Sequence, residues 1–471
     1  MQLLSWNYVM ETTYVSNLAG EIALLCGLIL WSTTYPGIRR KMFELFYYTH
    51  YLYIPFIIFF ILHCGIFFPC IMLPGFYLFI IDRFLRFLQS RQKVQLVSAR
   101  VLPCETVELN FAKNQGLSYS PTSTMFINVN SISKVQWHPF TVTSNCNLEP
   151  ETISVIIKTE GTWTKNLYEK LSLPSSSSID RLEVSVEGPY GPAQTDFLSH
   201  DTLIMICGGS GITPFISIIR ELIYVSSKLR YKTPKIQLIS VFKNSSNLTM
   251  LDLVLPISGV PSEACNLDLQ IEAYITREQG KSMEKQEPAR TISFKPKSSD
   301  APVSSILGEY SWLWLSLIIS SSFVIFLLLI GIVTQYYIYP IDHNAYRKEM
   351  TTKRAMINML FICFSIAISA TAAFLMNKRK IANEAKQIQG TKVSETLAET
   401  ELESLPHQSL IKSTKVHYGG RPDLKRILLE SKGSSVGVLV SGPKNMRHDV
   451  ARICSSGLAD NLHFQSISFS W

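Results

Sequence analysis

A multi-domain membrane protein is what this sequence predicts: an α-helical transmembrane part, a small antiparallel β-barrel, and a doubly wound α/β domain interrupted by a two-helix membrane hairpin. Three observations lead there. Residues 18–34, 45–66, 70–88, 311–339 and 356–375 are apolar runs with few or no charges, matching or approaching the roughly 20 residues that span a bilayer. Between 94 and 200, short alternating segments are separated by Pro, Ser and Asn clusters, which suits an antiparallel barrel. From 202 onward apolar strands alternate with helical patterns, the mark of a parallel sheet. Only 17% of the 471 residues are charged, 47% are hydrophobic, and the formal net charge is +8. This composition excludes a disordered chain and a nucleic-acid partner, and makes the lipid bilayer the first partner.

Each element follows from local pattern. Residues 1–92 form the first membrane part. Arg39-Arg40-Lys41 follow its first span, and Arg83, Arg86, Arg91 and Lys93 follow its third; excess Lys and Arg put those ends in the cytosol. Residues 1–17 and the 66–70 turn then lie outside. Residues 93–200 form the barrel, with strands expected at 94–101, 104–111, 124–130, 152–158 and 182–187. Residues 201–277 form the first half of the α/β domain, with strands at 202–207, 236–242 and 269–275 and helices at 213–225 and 249–255. A polar linker (278–310), the hairpin (311–375) and a second linker (376–416) intervene. Residues 417–471 complete the domain through helix 422–431, strand 435–440, helix 445–455 and strand 463–469. Lys378-Arg379-Lys380 return the fifth span to the cytosol, which leaves the loop 340–355 outside despite its four basic residues.

Nine cysteines with no C-x-x-C indicate neither a disulfide framework nor a cysteine metal site. The first basic residue is Arg39, so residues ahead of it match neither a signal peptide nor an arginine-rich transit peptide.

Chemistry is concentrated in a few motifs. Cys207-Gly208-Gly209-Ser210-Gly211-Ile212-Thr213-Pro214 lies between an apolar strand and an amphipathic helix, where glycines let backbone N–H groups approach a pyrophosphate at the helix N-terminus. Such turns also serve packing alone. Upstream stand Trp137-His138-Pro139-Phe140-Thr141-Val142-Thr143-Ser144, then Lys158 through Gly161-Thr162-Trp163-Thr164, then Gly188-Pro189-Tyr190-Gly191-Pro192. Ser441-Gly442-Pro443-Lys444 comes late. In this order these four motifs, around the glycine-rich turn, resemble the flavin and pyridine-nucleotide modules of the ferredoxin-reductase superfamily. With L-P-G-F-Y-L-F-I-I-D-R-F-L-R-F, Y-I-Y-P-I-D-H-N and the ending L-H-F-Q-S-I-S-F-S-W, the chain resembles plant ferric-chelate reductases, the ferric reduction oxidases, within the ferric reductase and NADPH oxidase superfamily. The hairpin inside the nucleotide domain is the most specific shared feature.

The resemblance implies that His138, Pro139, Phe140 and Thr141 hold FAD, with Phe140 packed on the flavin and Thr141 near its reactive nitrogen. Both side chains reach it from one strand only if that strand bends. Lys158, Gly161, Trp163 and Thr164 would cradle the flavin pyrophosphate, with core packing the other reading of Trp163. Gly208, Gly209, Gly211, Thr213 and Pro214 would bind the nicotinamide nucleotide together with Gly442 and Pro443. Thr276 and Arg277 fall where the superfamily grips the adenosine 2′-phosphate, and an Arg fork with a hydroxyl suits a phosphate dianion, which favours NADPH over NADH. Ser441 stands where the family's C-G-P motif has Cys. Trp471 stands where the family has a terminal aromatic, which the resemblance implies would stack on the flavin until nicotinamide displaces it.

His50 and His63 fall in the second span, where an imidazole points to function by default. Their 13-residue separation corresponds to roughly 20 Å along a helix and about 140° around it, so Pro55 between them is expected to kink or re-phase the helix. The resemblance makes them axial ligands to two haem b groups in a cytochrome-b-like part that is incomplete. The family's second histidine pair has no counterpart in residues 1–49, so the chain is expected to begin partway through a longer parent.

The function implied is a ferric-chelate reductase carrying electrons from cytosolic NADPH through FAD and haem to Fe(III) chelates, with Cu(II) a further acceptor. The expected site is the plasma membrane, with plastid and other membranes left open. A superoxide-forming NADPH oxidase, and a haem-deficient diaphorase or non-catalytic subunit, are the competing readings. A homo-oligomer is compatible with all of them.

Overall fold

A computed structural model describes residues 16–467 apart from 65–66, 173–181, 192–195, 230, 255–266, 281–288, 296, 298–299, 309, 339–349, 393–413 and 432. Trp471 and the Arg347–Lys348 part of the hairpin loop lie outside the described residues. The chain divides into two compact units, residues 1–88 with 310–380 and residues 89–309 with 381–471.

The first unit is helical. Helix α1 (Asn17–Thr33) is followed by the short α2 (Pro36–Lys41), then α3 (Phe43–His50), α4 (Tyr53–Cys64) and α5 (Phe67–Ser90). The second expected span is therefore two helices joined at Tyr51-Leu52. There Leu52 N–H bonds to Thr49 O at 3.0 Å and Ile54 N–H to Tyr51 O at 3.1 Å. Pro55 has no N–H to extend that ladder and sits in the first turn of α4, where a proline is tolerated. Ala19, Ala23 and Cys26 of α1 are buried, and Gly20 lies so close to the His63 ring that a Cβ would stand 2.5 Å from Nδ1. Small side chains at helical spacing allow that approach between membrane helices. Later come α8 (Ser311–Val333), prolonged by a wider turn to Ile338, and α9 (Met350–Lys392). Among the described residues three helical stretches are long and apolar enough to cross a membrane: Glu44–Cys64, Ser311–Tyr337 and Met356–Asn383. Helix α1 is apolar but shorter, and α5 carries Asp82, Arg83 and Arg86 in its last turns.

The second unit opens with β1 (Leu96–Leu102), β2 (Thr106–Ala112), β3 (Thr124–Val129), β4 (His138–Thr141), β5 (Thr152–Lys158) and β6 (Val184–Tyr190). Strands β1, β2 and β5 form one antiparallel sheet and β4, β3 and β6 another. Isolated bridges from Val142 to Val155 and from Val94 to Val184 join the two into a closed barrel. Leu109, Phe111, Met125, Ile127 and Val155, all at 0% exposure, fill it. The expected first linker is partly structural. Its residues Arg290–Ser293 form β10 against β1, while Ala301 and Val303 bridge to Val94 and Lys113.

The parallel sheet comprises β7 (Thr202–Gly208), β8 (Lys235–Phe242), β9 (Leu269–Ile275), β11 (Lys415–Tyr418), β12 (Val436–Ser441) and β13 (Leu462–Ser466), in the order β11-β9-β8-β7-β12-β13. Alternation along β7 explains the two helical layers. Leu203, Met205 and Cys207 pack with α7 (Thr213–Tyr224), whereas Ile204 and Ile206 pack with Leu428 of α10 (Leu424–Leu429) and Val450 of α11 (Lys444–Cys454). The expected helix at 249–255 is a 3₁₀ segment, Ser245–Leu253, and β11 spans the expected boundary at 416/417 between the second linker and the last part of the domain. The strand order reverses between β7 and β12, the switch point where open α/β sheets bind ligands.

The barrel and the sheet meet through buried charge. Arg220 of α7, at 0% exposure, donates to both Glu149 oxygens at 3.2 Å and to Leu253 O at 2.8 Å, and it lies 4.0 Å from Glu108 of β2. Arg100 pairs with the same Glu108 at 2.8 Å. Burial pushes the Glu149 carboxyl up while the Arg220 guanidinium pulls against it.

Candidate flavin and nicotinamide nucleotide sites

At the switch point two turns interlock. The 3₁₀ turn Gly209–Ile212 leaves β7, and Ser441-Gly442-Pro443 leaves the neighbouring β12, with Ser441 in register with Cys207. A Cβ on Gly211 would stand 2.5 Å from Ser441 O, and one on Gly208 would stand 2.9 Å from Pro443 Cδ. Gly442, at φ +151°, approaches Gly208 N in the same way. These three glycines therefore serve the contact between turns. Gly209 differs: its φ is +58° and nothing lies within 4 Å of a Cβ there, so its backbone faces open space where a pyrophosphate can approach. Thr213 starts α7 with its hydroxyl bonded to Ser210 O at 3.2 Å, and Pro214 occupies the first turn, where no N–H is needed.

Cys207 itself is sealed. Its thiol donates to Ser240 Oγ at 3.2 Å, and burial pushes it up to about 12, so it stays protonated and inert. Ser441 is buried as well, at 6% exposure.

The flavin motif assembles on β4 and α6 (Thr162–Ser172). His138 and Phe140 share one face of β4 and meet Trp163, with ring centroids 4.5 and 6.0 Å away. Strand β4 pairs with β3 without a break from Ile127↔His138 to Thr124↔Thr141, so the expected bend is absent there and Pro139 and Thr141 face the other way. Two buried polar atoms in this cluster, His138 Nε2 and Trp163 Nε1, lack a hydrogen-bond partner. Such orphans are rare in finished cores, and a polar, ring-bearing ligand such as FAD fits them. Burial also holds the His138 imidazole below its ordinary value, keeping it neutral.

The two motifs touch. Ser210 Oγ donates to Glu160 Oε1 at 2.8 Å, and Lys158 Nζ donates to Asn247 Oδ1 at 2.9 Å. Thr164 Oγ1 accepts from the Glu160 and Gly161 amides, both at 3.0 Å, and fixes the turn entering α6. Asn247 is buried.

Thr276 and Arg277 follow β9. The Thr276 hydroxyl bonds to Phe242 O, and the Arg277 amide bonds to Lys243 O at 3.2 Å. Arg277 and Lys243 are both exposed at the ends of adjacent strands. Lys243 escaped sequence reading because the cation follows β8, and only the sheet order makes β8 and β9 neighbours.

In the membrane unit the His63 ring donates through Nδ1 to Ser16 O at 2.7 Å, an outer bond that leaves Nε2 as the lone-pair nitrogen, the tautomer a metal ligand requires. His50 is exposed between Phe46 and Tyr53, at centroid distances of 5.4 and 6.0 Å. Among the described residues no three His, Cys, Asp or Glu side chains converge on one point.

A barrel, a split parallel sheet and membrane helices with two imidazoles define a protein of the ferric reductase and NADPH oxidase superfamily. Family models agree: a ferric reductase like transmembrane component matches residues 4–61, an FAD-binding domain 91–194, and a ferric reductase NAD binding domain 200–455. Within the superfamily the chain belongs to the ferric reduction oxidases. It is 56% identical to Ferric reduction oxidase 2 of Arabidopsis thaliana, over 100% of this chain and 66% of that protein. To Probable ferric reduction oxidase 1 of the same plant it is 55% identical, covering 67% of that protein, and to Ferric reduction oxidase 3, mitochondrial, also 55%, covering 64%. The chain thus spans about two thirds of the length of these relatives.

Proposed function

We propose that the chain is the reductase part of an NADPH-dependent ferric-chelate reductase, in which electrons pass from NADPH through FAD and haem b to Fe(III) chelates. The observation that supports this most directly is the Ser210–Glu160 hydrogen bond, which brings the nicotinamide turn and the flavin turn together. When bound, FAD supplies the conversion between a two-electron hydride donor and one-electron acceptors.

The chain's own residues bind and orient. His138, Phe140 and Trp163 hold the flavin rings, with Thr141 at the strand end. Lys158, Gly161 and Thr164 receive the flavin diphosphate with the N-terminus of α6. Gly209 admits the nicotinamide diphosphate, while Gly208, Gly211, Gly442 and Pro443 set the distance between the turns. Ser441 lines the nicotinamide side of that seam, and Arg277, with Lys243, meets the 2′-phosphate. His63 and His50 each offer one imidazole nitrogen to a haem. The basic ends of the membrane helices favour a cytosolic place for the nucleotide domains, and the plasma membrane is the location we favour.

The test is the reduced-minus-oxidised absorbance spectrum of the detergent-purified chain, with its haem-to-flavin ratio and NADPH-driven Fe(III)-chelate reduction. A ratio of two b-type haems to one flavin, with ferric reduction, supports the reading. Flavin without haem, reducing only soluble dyes, would overturn the transmembrane path for this chain.

A further inference from the structure

Inside the membrane unit, α4, α5, α8 and α9 enclose an apolar groove of about 480 Å³. Ile57 of α4, Phe76 and Ile80 of α5 and Met359 and Leu360 of α9 form its walls, and Arg83 closes one end. The groove runs along the seam between the first membrane helices and the inserted hairpin. Direct contact across that seam includes a 2.6 Å hydrogen bond from Tyr77 to Ser322 and the packing of Met359 on Ala19 and Leu62.

We infer that this groove binds one acyl chain of an anionic phospholipid whose phosphate sits at Arg83. Its length on α5, from Leu73 to Arg83, is about 15 Å at helical rise. That is half of a hydrocarbon core roughly 30 Å thick, the depth of a single leaflet. An apolar slot in a bilayer selects for a hydrocarbon chain, and the guanidinium at its end selects for charge. Arg83 and Arg86 converge on the single carboxylate of Asp82, at 3.0 and 2.9 Å, so the trio carries one net positive charge. Basic pockets between membrane helices hold anionic headgroups in this way. The lipid then acts as filler between the histidine-bearing helix pair and the hairpin.

The test compares the purified chain in phosphatidylcholine vesicles with and without phosphatidylglycerol, reading the thermal midpoint, and measures retained phospholipid by native mass spectrometry. Phosphatidylglycerol is expected to raise the midpoint, and one anionic lipid is expected to survive purification. Arg83→Gln should lose both effects, while Arg379→Gln, an exposed cation on α9 away from the groove, should keep them. Ile57→Trp fills the slot and should lose the retained lipid while keeping the wild-type midpoint in phosphatidylcholine alone, which reports that it still folds. Equal losses in Arg83→Gln and Arg379→Gln would reduce the effect to general surface charge and overturn the site. So would a retained lipid in Ile57→Trp, or a groove that excludes lipid because a protein helix fills it.

Discussion

At the scale of single residues, the flavin cluster makes the sharpest claims. Trp163 is 4% exposed and touches both His138 and Phe140. Trp163→Ala should cost about 3–5 kcal/mol and release flavin, whereas Trp163→Phe should keep most of the stability and lower flavin occupancy; dialysis followed by absorbance at the flavin band reads both. His138 carries a pH signature. Its folded value lies below the ordinary 6.5, so the unfolded chain binds the proton more readily. Stability from this group is complete above that value and is lost as pH falls toward the folded one. Urea unfolding of the flavin-free protein should show that decline, and His138→Gln should flatten it; the same slope in the variant would remove His138 as the cause. Gly211→Ala brings a Cβ against backbone rather than a movable side chain. NADPH binding should therefore weaken even though alanine suits the helix start.

At the scale of elements, α7 is held by its buried end. Removing Arg220 leaves Glu149 buried without its cation, while Glu108 keeps Arg100, so Arg220→Met should cost about 3–5 kcal/mol. Restoring an apolar pair with Arg220→Met and Glu149→Leu should recover much of it, as read by chemical unfolding. The ends of β8 and β9 set coenzyme choice. Arg277→Gln should raise KM for NADPH by about tenfold, equivalent to roughly 1.4 kcal/mol, and leave KM for NADH unchanged. Parallel losses for both coenzymes would mean that Arg277 does not meet the 2′-phosphate.

At the scale of the whole molecule, the split sheet constrains membrane topology. Strand β12 pairs with β7 across the hairpin, from Val436↔Thr202 to Ser441↔Cys207, so the chain must return to the side it left. Tags inserted at Gly280 and Gly420 should be reached from the same face of sealed vesicles, and a tag in the 340–355 loop from the opposite face. A split result would mean that the sheet cannot form in the membrane-inserted protein. The path into the hairpin also passes along the barrel, where Val303 is 3% exposed and bridged to Lys113. A segment read as a tether is thus part of the barrel's core.

Hydropathy and alternation by themselves determined most strands, the doubly wound class and, of the five expected membrane spans, the three that are long and apolar enough among the described residues, because a helix face, a strand and a bilayer each impose a period or a length on the chain. Short motifs likewise singled out His138, Phe140, Trp163 and the Gly208–Pro214 turn as candidates, since such turns need glycine wherever they occur. What the sequence left undecided depends on distant neighbours. Strands β10 and β11 are four residues each, too short to show a period, and they exist because β1 and β9 offer open edges. Pro55 marks an interruption in the second span, but its place at Tyr51-Leu52, ahead of the proline, preserves helical hydropathy on both sides and so is silent in the sequence. That Gly208, Gly211 and Gly442 hold two turns together, that Lys243 stands beside Arg277, and that Arg220 binds the barrel to the sheet were decided only by the tertiary structure. Each is a contact between residues far apart in the chain, and the local forces that shape helices and strands carry no record of it.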